Sequence, residues 1–221
     1  MRLSKRLEVC MKYADGYKNL ADIGTDHAHV PIAAIKRGYV HKAQAIDDKY
    51  GPFVIAYGNV KKYELSDRIT VKRADGFEKI DDDTDVAIVA GLGGFTISKM
   101  IEYQDLKSIK RLILQPNDHP EDVRLSLNQK GYKITDELVF EDKNKTYDVI
   151  VADFGTEVLS PLEIKYGPIN LKYQLPAFVE RLTKKIAYIE KVVKELDNPD
   201  EHAHLIEDVN SMKEALSWNK K

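Results

Sequence analysis

The chain has 221 residues, 43% of them hydrophobic, with 34 basic and 36 acidic side chains that leave a formal net charge of −2. That length holds one full α/β domain and a small appendage, and the apolar fraction excludes wholesale disorder. The near-neutral balance excludes a generic basic coat for nucleic acid but not a nucleic-acid enzyme with a local basic patch. The single cysteine, Cys10, rules out an intramolecular disulfide and suits a reducing cytosol. No apolar run approaches the roughly 20 residues of a membrane span. The N-terminus lacks the apolar core of a signal peptide, so a cytoplasmic protein is expected.

Periodicity predicts strands near 20–24, 42–46, 68–73, 84–90, 110–115, 133–141 and 146–154. Helices are expected near 3–14, 28–38, 51–63, 94–103 and 120–130. Strand and helix alternate through the fifth strand, which implies a parallel sheet covered on both faces. The last two strands are joined by the polar link Asp142-Lys143-Asn144-Lys145, which implies an antiparallel hairpin. The expected fold is therefore α/β, a Rossmann-like class I methyltransferase sheet of seven mostly parallel strands over residues 1–160.

Beyond about residue 160 the pattern changes. Pro161, Gly167, Pro168 and Pro176 read as a linker. Leu182, Ile186, Ile189, Val193 and Leu196 then repeat in heptad spacing, as do Leu205, Val209, Met212 and Leu216. Asp197-Asn198-Pro199-Asp200 separates them, so residues 161–221 are expected to form an antiparallel, coiled-coil-like helical hairpin. It either projects as an arm or packs flat on the sheet domain.

The chemistry-bearing residues cluster at strand ends. Leu20-Ala21-Asp22-Ile23-Gly24-Thr25-Asp26-His27 runs from an apolar strand into a polar turn. A dinucleotide fold needs G-x-G-x-x-G there to seat a pyrophosphate. Only Gly24 is in place, and Asp26 would repel phosphate. A phosphate-free nucleoside bearing a positive sulfonium, S-adenosylmethionine, suits this turn better than a nicotinamide cofactor. Asp22, Ile23, Gly24 and Thr25 are the expected first contacts, although Asp22 could instead cap the following helix.

Asp47, at the second strand's tip, is placed to accept from a ribose diol, with Asp48 beside it as a second contact or a helix cap. Asp75-Gly76 follows the third strand, either to accept from an adenine amine or as a plain turn. Ala90 and Gly91 close the fourth strand, and Gly93 and Gly94 would floor the space between cofactor and acceptor, or simply turn the chain into a helix. Gln115 and Asn117 end the fifth strand and could match a base edge or cap a helix. Asp26, His27 and Asn117 are the candidate catalytic set. His27 and His29 without a cysteine pair do not make a zinc site, so no metal is expected. Arg2, Lys5 and Arg6 on the first helix are candidate phosphate contacts or a solvated face.

Ala21-Asp22-Ile23-Gly24-Thr25-Asp26-His27-Ala28, Ala90-Gly91-Leu92-Gly93-Gly94 and Leu112-Ile113-Leu114-Gln115-Pro116-Asn117 together resemble the bacterial tRNA adenine-22 N1-methyltransferase family. The resemblance implies an S-adenosylmethionine domain, a C-terminal coiled-coil-like domain and methylation of N1 of an adenine in the tRNA D-arm. It implies that Asp22, Gly24, Asp47, Asp75, Gly76 and Gly91 serve the cofactor, with Asp47 standing where relatives are expected to carry Glu. The expected partner is tRNA, and the expected state is a monomer. The competing readings are a methyltransferase acting on a small molecule or protein, and a non-catalytic RNA- or protein-binding module with a vestigial cofactor fold.

Overall fold

The computed structural model describes residues 3–106, 109–143, 145–195 and 202–218. Arg2, Asn144, Leu196 and the 197–200 turn named above lie outside them. The sheet strands are β1 (Asn19–Ile23), β2 (Lys42–Asp47), β3 (Ile69–Arg73), β4 (Val86–Leu92), β5 (Arg111–Pro116), β6 (Tyr132–Asp142) and β7 (Lys145–Phe154). Their order is β3-β2-β1-β4-β5-β7-β6, with β7 antiparallel to both β5 and β6 and all other pairings parallel.

The central strand β4 is apolar at every position, and β5 through its middle, because both faces are covered there. Val86 and Ile88 of β4 face a core shared with α1 (Lys5–Lys12), α2 (His29–Lys36) and α3 (Tyr50–Lys62). Ala87 and Val89, pointing the other way, face one shared with α4 (Gly94–Tyr103) and α5 (Pro120–Lys130). Each strand of the parallel set therefore delivers its carboxyl end to one edge, where such folds bind ligands.

The stretch expected to be a linker is helical. Pro161 starts α6 (Pro161–Tyr166), Pro168 starts α7 (Pro168–Tyr173) and Pro176 starts α8 (Pro176–Lys194). Each proline occupies the first turn, where its missing N–H would find no partner anyway and its fixed φ favours the helix. Residues that look like breakers in sequence are helix starters here. Ser160 completes the entry to α6 with a reciprocal capping box to Glu163.

A third core joins the C-terminal helices to the sheet. Val139 of β6 meets Tyr166, Leu171, Phe178, Leu182, Ile186 and Ile189, together with Val209, Met212 and Ala215 of α9 (Ala203–Leu216). α9 is also tied to α6 by Lys165–Asp208 at 2.8 Å and by Tyr166 to Ser211 at 3.1 Å. The α8–α9 pair is thus seated on α6, α7 and the β6 edge. Beneath it Arg124 and Glu137 form a fully buried ion pair at 2.7 Å. Arg124 also donates to the carbonyls of Ile164 and Lys165, and Glu137 accepts from the N–H groups of Ile169 and Asn170. One buried pair so fastens α5, β6, α6 and α7 together.

Candidate functional site

The β1–α2 turn is built around Asp22. Its side chain is buried and accepts from the Thr25 hydroxyl at 2.5 Å, while the Thr25 N–H bonds to Ile46 of β2 at 2.9 Å. Burial pushes the Asp22 carboxyl up to about 7; the Thr25 bond and nearby Arg6 pull it down, and Asp26 and Asp47 push it up. Gly24 has φ +69°, with only ordinary contact to Leu92 where a Cβ would stand, so conformation rather than space calls for glycine. His27 and Ala28 follow with φ of 60° and 56°, two successive left-handed residues that lack glycine's freedom. Asn59 of α3 holds this turn by donating to the His27 carbonyl at 3.0 Å. The result is an exposed Asp26 with the His27 ring nitrogen 3.2 Å from its carboxylate, and the His27 and His29 rings stacked at 5.4 Å. Burial holds His29 below the usual imidazole range.

Asp47 ends β2 half-buried, accepting from the Lys49 N–H at 2.9 Å, and burial raises its carboxyl. Asp48 is exposed, and its carbonyl takes Arg73 Nε at 3.0 Å. Asp75 is exposed. Gly76 beside it has φ +53°, and a Cβ there would collide with the Gln104 side-chain amide, whose Oε1 accepts from Phe77 N–H at 2.6 Å. Gln104, distant in sequence, is what shapes this turn.

At the end of β4 the register with β5 slips between Ala90 and Leu92, placing Gly91 at φ +86°. A Cβ there would lie 2.6 Å from Arg6 Nη1. Arg6 reaches in from α1 and donates to Gln115 Oε1 at 2.5 Å. Gln115 is fully buried, and its amide nitrogen donates to the Pro116 carbonyl at 2.7 Å. The expectation that Gln115 offers its amide to a base edge gives way here: both ends are spent inside the protein. Arg6, expected on a phosphate-binding surface, is turned toward the strand ends, and Lys5 is spread on β6, donating to the Glu141 carbonyl at 2.9 Å with its ammonium 5.2 Å from the Phe140 ring centre.

Asn117 donates to the Gly91 carbonyl at 2.7 Å and caps the bulge. Gly94 is required by space: a Cβ would stand 2.4 Å from the His119 carbonyl oxygen and 2.5 Å from that of Asp118. Asp118 then accepts from Gly94 N–H at 2.8 Å, capping α4 from another loop. At Gly93 a Cβ would make only ordinary contact with the same carboxylate. Phe95, next along, leaves its ring 61% exposed with Lys99 Nζ 4.4 Å from the ring centre. The sequence expectations give it no role; the only local signal for one is an aromatic directly after the Gly93-Gly94 turn, and its exposure is visible only in the fold.

The loops after β1, β2, β3, β4 and β5 therefore meet at one edge of the sheet. Asp22 and Asp47 lie on β1 and β2 and Asp75 just beyond the end of the neighbouring β3, and Asp26, Gly91, Gly93 and Asn117 cluster on the β1, β4 and β5 side.

A family model described as tRNA (adenine(22)-N(1))-methyltransferase matches residues 20–218. The tRNA (adenine(22)-N(1))-methyltransferase of Bacillus subtilis (strain 168) is 31% identical over 205 residues, spanning 89% of this chain and 86% of that protein. Streptococcus pneumoniae Sp1610 in a crystal structure with S-adenosyl-L-methionine superposes with a TM-score of 0.88 at 32% identity, over 97% of this chain and 100% of that one. The crystal structure of the B. subtilis m1A22 tRNA methyltransferase superposes with a TM-score of 0.86 at 28% identity, over 97% of this chain and 99% of the other.

Proposed function

The chain belongs to the tRNA (adenine(22)-N(1))-methyltransferase family, and from that premise we propose how its residues divide the work. The protein is an S-adenosylmethionine-dependent tRNA methyltransferase that acts on N1 of an adenine. The observation that carries the reading is the family match over residues 20–218 on a sheet whose carboxylates gather at the carboxyl edge.

The residues at that edge fit the cofactor. Asp26 stands where a diphosphate would have to lie, which a phosphate-free nucleoside tolerates. Glycines at φ +69° and +86° let backbone approach a flat group. When bound, S-adenosylmethionine supplies an electrophilic methyl group on a positive sulfonium. Asp47, with Asp48 beside it, holds the ribose diol, and Asp75 with Gly76 meets the adenine amine. Ile23, Thr25, Ala90 and Gly91 line the pocket. Asp22 shapes the glycine turn and takes the ammonium of the methionine end. Arg6, cationic and half-buried over Gly91, takes the carboxylate of that end; this replaces its earlier reading as a phosphate contact.

On the acceptor side, adenine N1 already carries a lone pair, so no base is needed to create a nucleophile. The chain must hold N1 in line and tolerate the cation that forms on the ring. Asp26 does the second by accepting from the N6 amino group as charge develops. His27 fixes the Asp26 carboxylate, and Asn117, anchored on Gly91, orients the base. Phe95 offers a ring on which an unstacked base can rest, and Gly93 and Gly94 keep the floor thin. The work is done by a cytoplasmic monomer of two parts, residues 1–160 and 161–221. Among the described residues no helix is long and apolar enough to cross a membrane.

The test is incubation with labelled S-adenosylmethionine and unmodified tRNA carrying a D-arm adenine, with the label mapped by reverse-transcription stops. A stop at adenine 22 is expected, because N1 methylation blocks the pairing edge. Label at another nucleotide would overturn the positional reading, and transfer to small molecules or protein but to no tRNA would favour the competing enzyme class.

A further inference from the structure

The carboxyl edge does not end at Asn117. A cavity of about 470 Å³ lies between the start of α5, α6 and the α8–α9 pair, with Asp148 at its floor. Ile150 of β7 pairs with Leu114 of β5, so Asp148, two residues earlier on an antiparallel strand, stands toward the carboxyl end of β5. Pro120 of the cavity wall follows directly on His119. The cavity therefore opens beside the acceptor side of the site.

Its polar groups are unevenly satisfied. Asp148 Oδ2 accepts from Arg181 at 2.6 Å, while Asp148 Oδ1 is buried with no hydrogen-bond donor. A buried carboxylate oxygen without a donor is costly and calls for a partner. Lys185, one helical turn beyond Arg181, is exposed on the same wall, and its charge reaches the Asp208 carboxylate that Lys165 holds at 2.8 Å. Pro120, Pro161 and Met212 supply apolar walls. An acceptor at the floor, apolar sides and an exposed lysine at the mouth match the three parts of a nucleotide, a base N–H, a ring face and a phosphate, with Glu121 and the Lys165-bound Asp208 on the remaining walls.

We propose that this cavity is a second nucleotide-binding site, which takes an unstacked nucleotide of the tRNA near the target adenine. It rests on the tRNA methyltransferase reading for the identity of the RNA. Asp148 Oδ1 accepts from the base, Lys185 meets the phosphate, and Arg181 keeps the carboxylate oriented. The occupied cavity also makes the α8–α9 pair a reader of the RNA beside the reaction.

The test measures tRNA binding directly, without turnover, together with tRNA and cofactor KM values for the full chain. In Lys185→Ala the slope of log affinity against log salt should fall by about one, equally for all tRNA sequences, as for one lost phosphate contact. In Asp148→Asn the amide oxygen can keep Arg181 while the NH2 turns the floor from acceptor to donor. KM for tRNA should rise about tenfold, as for loss of a charge-assisted bond, with kcat, cofactor affinity and melting temperature unchanged. Unchanged tRNA affinity and salt slope in both variants would overturn the proposal. Should Asp148→Asn fail to fold, the salt slope of Lys185→Ala decides alone. A chain that binds tRNA with these sensitivities but methylates no adenine 22 would fail the functional reading and keep this one.

Discussion

Arg6 and Gln115, 109 positions apart, meet at 2.5 Å directly over Gly91. Gln115 is locked in turn by the Pro116 carbonyl, so its oxygen faces Arg6 and not the solvent. The pair plants a guanidinium at the edge where β4 and β5 end. Anywhere else on α1 the same arginine would read as surface charge.

That placement separates two roles for Arg6. Arg6→Ala should raise the cofactor dissociation constant by about ten- to a hundredfold, the scale of a lost charge-assisted bond of about 1.5–3 kcal/mol. The salt slope of tRNA binding should stay as in the native chain. Calorimetry with the cofactor and filter binding at several salt concentrations check this. A lower salt slope with unchanged cofactor affinity would return Arg6 to the phosphate-contact role. Arg6→Lys should recover only part of the affinity, because an ammonium cannot bond Gln115 and a carboxylate with the same fork.

Asp22 predicts a pH dependence of cofactor binding. Its carboxyl ionises near 7 in the native chain, against an ordinary value near 3.8, because burial disfavours the charge. A raised acid means that folding favours the protonated form, so this group's contribution to stability is greatest at low pH and declines as pH rises toward 7. A cationic ligand favours the ionised form. Cofactor affinity should therefore rise with pH up to about 7, then level, with a proton released on binding below that point. Calorimetry in buffers of different ionisation enthalpy reads the proton directly. Asp22→Asn should abolish both the slope and the release; persistence of either would remove Asp22 as their source.

Gly24 and Gly94, in the β1 and β4 turns, should not respond alike to alanine. Gly94→Ala drives a Cβ to 2.4 Å from a backbone carbonyl, with no flexible side chain to yield. The β5–α5 loop must move, taking the Asp118 cap and Asn117 with it. A cost of about 1–3 kcal/mol follows from overpacking, with a drop of about 2–4 °C in Tm for each kcal/mol, and activity should fall with it. Gly24→Ala meets only ordinary contacts and carries the left-handed strain alone, about 1 kcal/mol. Thermal melts of both variants check the ranking, and an equal or reversed order would refute the steric account.

Much of this fold is legible along the chain because its signals are local. Fully apolar runs such as Val86–Leu92 announce strands covered on both faces, and their ends collect the carboxylates in sequence order. The C-terminal seam is likewise readable, and Leu182, Ile186, Ile189, Val209 and Met212 are buried where the heptads place them. What escapes is decided by partners far away in sequence. Gln115 carries the right groups for a base edge, and nothing near it says that Arg6 consumes them. Asn59 and Gln104 shape turns 32 and 27 or more residues away without a local pattern. The prolines of α6 and α7 mislead for a different reason: the same ring that breaks a helix interior starts a helix, and the two uses look alike until the cap is seen.

Asp26 carries the chemical prediction. It stands on a turn bent through two left-handed residues and pinned by Asn59, with its carboxylate 3.2 Å from the His27 ring. Such a turn costs about 1–3 kcal/mol per strained residue, which is sensible only if the direction of that side chain matters. If Asp26 stabilises the cation growing on the adenine, Asp26→Ala should lower kcat by about 10²-fold, as for one removed electrostatic contact in a closed site. Cofactor affinity and KM for tRNA should stay near the native values. Asp26→Asn should keep some hydrogen bonding but not the charge, and fall between. Asn59→Ala, which leaves the carboxylate in place but frees the turn, should lower kcat less than Asp26→Ala and leave Tm within a few degrees. Single-turnover methylation with saturating tRNA separates these cases, and native turnover in Asp26→Ala would show that the cation is stabilised by another group.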